Sequence, residues 1–156
     1  MVGGGGASLN LVPIGRIRTP FRTVADCPRN GRQVVPAPDC TVEVDAAYRA
    51  GLAGVETFSH LMLLYWLGPQ DDALVIRPPF DGQERGVFGT RAPVRPNPVG
   101  LSVVALVKVA DGVLTVRHLD CMDGTVLLDI KPYLPSTDAE AGASMGWLAP
   151  HRTAPT

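Results

Sequence analysis

The run Leu101-Ser102-Val103-Val104-Ala105-Leu106-Val107-Lys108-Val109-Ala110, then Asp111-Gly112, then Val113-Leu114-Thr115-Val116-Arg117-His118-Leu119, decides the fold class. β-Branched residues fill both arms, and Asp-Gly between them supplies the positive φ angles of a two-residue hairpin turn. The pattern predicts a β-hairpin. In its second arm Leu114, Val116 and His118 alternate with Thr115 and Arg117, as a half-buried strand requires. In its first arm residues 103–107 are apolar at every position. Such a strand belongs at the centre of a sheet or beneath a partner subunit. A second Asp-Gly pair, Asp123-Gly124, precedes the apolar residues 126–130, so a third strand is expected to follow as a meander.

Working outward, further strands are expected at 11–18, 41–44, 74–77 and 85–90. Residues 59–67 read as a buried strand from their length and aromatic content. Asp45 is an N-cap residue ahead of Ala46 to Ala50, and Gly51 ends that short helix. The 17 Gly and 15 Pro cut the 156-residue chain into pieces too short for a helical bundle. The chain has room for one ordinary core. The fold expected is therefore mainly β: a single-domain antiparallel barrel with minor helix over residues 10–135. A Gly-rich leader (1–9) precedes it, and an Ala-, Gly- and Pro-rich tail (136–156) follows, with Trp147 and Leu148 able to tether that tail to the body or to a second subunit.

Composition excludes several functions. The longest apolar run, residues 61–67, is too short to cross a bilayer, and no secretory signal pattern opens the chain, so a soluble, cytoplasmic protein without membrane contact is expected. Cys27, Cys40 and Cys121 lack Cys-x-x-Cys spacing, and His60, His118 and His151 lack a ligand spacing, so no metal site is expected. The cysteines read as reduced packing residues. A net charge of −1 and a pI near 6.3 do not advertise a nucleic-acid binder. Arginines nevertheless cluster locally, at 16, 18, 22, 29 and 32 and again at 85, 91 and 95.

The chemistry concentrates in two loops. Arg91-Ala92-Pro93-Val94-Arg95-Pro96-Asn97-Pro98-Val99-Gly100-Leu101-Ser102 is stiffened by prolines that fix φ and extend the residues before them. Leu119-Asp120-Cys121-Met122-Asp123-Gly124-Thr125 sets two carboxylates three residues apart at a strand end, where they can grip an amino group or a ribose hydroxyl. No Gly-x-Gly-x-x-Gly follows a strand and opens a helix, so the doubly wound cofactor fold finds no support.

These loops resemble the TsaA-like family of TrmO-type enzymes. The resemblance is also carried by Asp129-Ile130-Lys131-Pro132-Tyr133, Ile14-Gly15-Arg16-Ile17-Arg18-Thr19-Pro20-Phe21, Pro28-Arg29-Asn30-Gly31 and Phe58-Ser59-His60-Leu61. It implies a small barrel that binds S-adenosylmethionine near a homodimer interface and methylates N6 of threonylcarbamoyladenosine in tRNA. It also implies the short form, without the C-terminal domain of longer relatives. The ligand's carboxylate calls for a guanidinium, from Arg29, Arg91 or Arg95, and the resemblance points to Arg91. The matching positions around the cofactor are Asn30, Gly31, Leu67, Gly68, Leu101 and Asp123-Gly124-Thr125, with Asp120 beside them. By residue type alone Leu67 and Leu101 are core residues and Gly124 a turn glycine; the resemblance promotes them. The catalytic base is left open between Asp120 and His60. Lys131 and Tyr133 can contact a phosphate or stack on a base. A small-molecule acceptor, or a non-catalytic module that senses the cofactor, is the alternative function.

Overall fold

A computed structural model of the chain describes Gly6 and residues 8–152; residues 1–5 and 7 of the expected leader lie outside the described residues. Among the described residues there are eight strands: β1 (Gly15–Arg18), β2 (Cys40–Val44), β3 (His60–Trp66), β4 (Val75–Ile76), β5 (Arg85–Gly86), β6 (Val99–Ala110), β7 (Val113–Arg117) and β8 (Thr125–Pro132). Six of them close into a barrel in the order β1-β2-β7-β6-β3-β8, while β4 and β5 form a separate ribbon. Every neighbouring pair in the barrel is antiparallel.

Alternation builds the core. On β3 the side chains of Leu61, Leu63 and Tyr65 point inward, and Val42, Val104, Leu114, Val116, Leu127 and Ile17 meet them, all fully buried except Tyr65 at 3% exposure. Each such aliphatic side chain contributes about 1.5–3 kcal/mol by leaving water. Two bulges bend the strands enough to close the barrel, with Leu128 unpaired between Asp129 and Leu127 opposite β3, and Val107 unpaired opposite β7.

The Asp111-Gly112 hairpin forms as expected, with φ of 52° and 76° at its two turn residues and Ala110 paired to Val113. The meander does not. β8 pairs with β1 and β3 rather than with β7. The reason is local: β7 stops at Arg117, and His118 takes φ 78°, which turns the chain across the barrel mouth. There the amides of Asp123 and Gly124 donate to the carbonyls of Phe21 (2.7 Å) and Ile17 (2.8 Å), so β8 starts beside β1. His118 consequently leaves the inward series, and Leu119 is the buried residue instead.

β1 is shorter than residues 11–18, because Pro13 has no amide to donate and Leu11 and Val12 are exposed. In the 85–90 segment only Arg85–Gly86 is strand, and Val87–Gly89 is a 3-10 turn closed by a Thr90 amide to Val87 carbonyl bond of 3.1 Å. In the 74–77 segment only Val75–Ile76 is strand. The helix after Asp45 is 3-10, spans Ala46–Leu52 past Gly51, and receives no side-chain cap from Asp45. β6 is central, between β3 and β7, yet Leu101 (48%) and Val107 (45%) on it are exposed. Cys40 and Cys121 are buried, and burial pushes their thiols up to about 11 and about 12, consistent with packing rather than reactivity. Among the described residues no helix is long and apolar enough to cross a membrane, and no three His, Cys, Asp or Glu side chains gather as a metal site.

Candidate functional site

Strands β1, β3 and β7 end, and β6 and β8 begin, at one mouth of the barrel. There a cavity of about 790 Å³ is lined by Leu67 and Gly68 after β3, Leu101 on β6, Asp120 after β7 and the Asp123-Gly124-Thr125 turn before β8. Arg29, Asn30 and Arg91 complete its wall. A second cavity of about 1060 Å³ shares Arg29, Asn30, Arg91, Leu101, Asp120 and Arg152 with the first and continues toward His60 and Tyr133. The two spaces therefore meet along these six residues, and Asp120 is the one carboxylate among them.

Of the residues expected from sequence to surround the cofactor, all but Gly31 line the smaller cavity. Gly31 lines the larger one and packs so tightly that a Cβ would collide with the backbone carbonyl of His118, whose ring Nδ1 lies 3.3 Å from the Gly31 carbonyl. The loop around it is a tight turn. Asn30 Oδ1 accepts from the Arg32 amide at 3.0 Å, and Gln33 Oε1 accepts from the Arg29 amide at 2.8 Å.

The two expected arginine ligands of the proline-rich loop separate into different roles. The Arg95 guanidinium donates to three carbonyls, of Thr90 (3.1 Å), Ala92 (3.0 Å) and Val87 (3.1 Å). It fixes the loop and has few donors left for a ligand. Arg91 lines both cavities. The two carboxylates also differ: Asp123 Oδ1 accepts from the Thr19 amide at 3.2 Å and so helps latch the turn to β1. Asp120 accepts at 3.0 Å from the Tyr65 hydroxyl, which lies 2.7 Å from Ser102 Oγ.

Burial raises the Asp120 carboxyl above the ordinary carboxylate range, while the Tyr65 hydrogen bond and the Arg91 charge act in the opposite direction. Burial, reinforced by the Asp120 charge, likewise pushes the Tyr65 hydroxyl well above the usual phenol range. Tyr65 therefore stays protonated and holds Asp120 in place as a donor. Sequence reasoning missed Tyr65 and Ser102. The signal was present, since alternation places Tyr65 in line with Leu61 and Leu63, and a hydroxyl in such a row needs a buried partner.

His60 lines the larger cavity, with Ser59 Oγ 2.8 Å from its Nδ1 and its ring edge-on to Tyr133 at 6.4 Å. Lys131 lies outside both linings and pairs with Asp129 at 2.9 Å. Arg16 and Arg18 are structural, donating to the Gly124 carbonyl (3.0 Å) and pairing with Glu43 (3.4 Å).

Residues 16–139 match the family of the tRNA-methyltransferase O N-terminal domain. The chain belongs to this family. Among its relatives is the probable S-adenosyl-L-methionine-binding protein VirR of Rhizobium radiobacter, 46% identical over 82% of this chain and 71% of that protein. The S-adenosyl-L-methionine-binding protein of Archaeoglobus fulgidus is 42% identical over 82% of this chain and 91% of its own length. A putative S-adenosylmethionine-dependent methyltransferase, RcsF of Pseudomonas aeruginosa, is 39% identical over 84% of this chain but only 57% of that protein. A crystal structure of TrmO superposes with a TM-score of 0.75 at 38% identity, covering 90% of this chain and 64% of that one. The TrmO of Pseudomonas aeruginosa gives a TM-score of 0.73 at 36% identity, with 63% of its chain covered. The chain thus spans about three-fifths of these TrmO structures. Family membership accounts for the barrel.

Proposed function

We propose that this TrmO-type domain binds S-adenosylmethionine in the smaller cavity and methylates N6 of threonylcarbamoyladenosine in tRNA, held in the larger one. The observation that carries the proposal is the junction of the two cavities, with Asp120 as its one carboxylate. Methyl transfer needs donor and acceptor in line, and two spaces with one common wall provide that arrangement. The residues present fit the donor. Arg91 suits its carboxylate, Asp123 its ammonium or ribose, and Leu67 and Leu101 flank an apolar slot for the adenine. When bound, S-adenosylmethionine supplies an electrophilic methyl on a sulfonium.

The chain's own part is to orient and to take a proton. A carbamoylated N6 is a weak nucleophile, and Asp120, made more basic by burial and reachable from both cavities, is the carboxylate best placed to accept its proton. Tyr65 and Ser102 keep that carboxylate oriented. The half-exposed Leu101 and Val107 on the outer face of β6 support a homodimer that covers this face. A second reading, a non-catalytic S-adenosylmethionine-binding module or an enzyme with a small acceptor, draws on the net charge of −1 and on the relatives named only as binding proteins.

Mass spectrometry of nucleosides discriminates the readings, using threonylcarbamoylated tRNA that lacks the methyl group, incubated with the chain and S-adenosylmethionine. A gain of one methyl on that nucleoside is expected. No gain, with cofactor binding verified by calorimetry, would transfer the weight to the second reading.

A further inference from the structure

Beyond the barrel, the 3-10 turn Gly146–His151 folds back beside the larger cavity, and Met145, His151 and Arg152 form part of its wall. A column of flat groups holds it there. The Arg85 guanidinium lies 4.5 Å from the Trp147 ring centre, Trp147 stacks on Phe80 at 6.1 Å and 9°, and Arg29 lies 6.0 Å over Phe80. The Trp147 Nε1–H donates to the Gly89 carbonyl at 2.9 Å, and His151 Nε2 lies 3.1 Å from Asp81 Oδ1, which also serves Arg85. Trp147 itself lines neither cavity. Its contacts instead join the β4–β5 ribbon, the strap and the Arg29 loop into one unit.

The charge of the space so closed is one-sided. Arg29, Arg32, Arg91 and Arg152 line the larger cavity, all but Arg32 at its junction with the smaller one, and Asp120, also at the junction, is the sole acid among its described lining residues. We propose that the 145–152 strap is a specificity wall of the acceptor cavity, in which Arg152, acting with Arg29, holds an oxyanion carried by the methyl acceptor. Trp147 is the positioning residue that sets both arginines. The inference rests on the acceptor reading of the larger cavity and extends it to the chemistry recognised there. In an RNA acceptor the oxyanion has two sources: a backbone phosphate, or the carboxylate of a threonylcarbamoyl group.

Calorimetric titration of the full chain with an RNA hairpin carrying threonylcarbamoyladenosine, and with the same hairpin carrying plain adenosine, tests this. Arg152→Ala and Trp147→Ala are each expected to weaken hairpin binding about ten-fold, the loss of one charge-assisted contact. Trp147→Phe, which keeps the stack, is expected to restore most of it. If the phosphate is the ligand, both hairpins lose equally and the log–log salt slope of Arg152→Ala becomes shallower by about 0.7. If the carboxylate is the ligand, only the modified hairpin loses affinity. Unchanged hairpin binding in both variants would overturn the strap inference while leaving the tRNA reading intact. If the wild-type chain binds neither hairpin, the tRNA reading fails and inorganic pyrophosphate becomes the probe: binding that Arg152→Ala abolishes upholds the oxyanion site, and no binding overturns it.

Discussion

At the barrel mouth the amides of Asp123 and Gly124 are bonded to the carbonyls of Phe21 and Ile17, and Arg95 closes the proline-rich loop through three more carbonyls. On the facing wall Trp147 and His151 are held by ring contacts, one indole bond and an ion pair. The first wall runs directly into β6 and β8, so its opening is expected to be coupled to that of the barrel. The second is pinned by half-exposed side chains, each worth about 1 kcal/mol, and can open alone. On the proposed reading, a wall built into the barrel suits a donor of one fixed shape, and a wall pinned from outside suits a large acceptor that enters and leaves.

The comparison can be broken from either side. Leu127→Ala empties a fully buried position on β8 and is expected to destabilise the whole chain by about 2–5 kcal/mol in denaturant titration, taking both walls with it. Gly31→Ala puts a methyl against the His118 carbonyl, so the Arg29–Gly31 turn must shift. Its expected result is an affinity for S-adenosylhomocysteine at least about ten-fold lower, with the melting temperature of the barrel little changed.

Asp120→Asn sharpens the contrast through pH. Because burial raises the Asp120 carboxyl, the folded state favours its protonated form, and folding is weakened as pH rises from about 3.8 through the raised value. The Asn variant should therefore be more stable than wild type above that window and equal to it below pH 3.8, by denaturation midpoints. Greater stability of wild type at neutral pH would show that Asp120 is better compensated than its burial implies. Trp147→Ala has the smallest global effect, about 1 kcal/mol. Hydrogen exchange should quicken across residues 145–152 and the β4–β5 ribbon, but not in β3 or β6.

The sequence was legible where one signal governs one element. Length and aromatic content located β3, the Asp111-Gly112 pair located β6 and β7, and every residue expected around the cofactor except Gly31 lines the smaller cavity. The path of the chain after β7 was hidden, because it turns on the positive φ of His118, a residue whose type does not announce it. Arg91 and Arg95 looked alike in the sequence, and only the three carbonyls around Arg95 distinguish a loop staple from a ligand residue. Tyr65 and Ser102 were missed because they lie in apolar strands whose pattern draws attention to packing. The tail was read as a possible tether through Trp147, and its partners Phe80, Arg85 and Gly89 are too distant in sequence for any local pattern to reveal.

Closure of the barrel also governs how this molecule can meet others. Each of its six strands has a hydrogen-bonded neighbour on both sides, but β6 is shared in halves, residues 99–104 pairing with β3 alone and 106–110 with β7 alone. The main-chain edges left are therefore a few residues long, on β6, on β8 beyond Leu127 and on the two-residue β4 and β5. Such short edges give an incoming peptide little to extend, so self-association by strand addition is confined to these stretches. Elsewhere on the curved surface an assembly is specified by side chains, where a single charged substitution can weaken it.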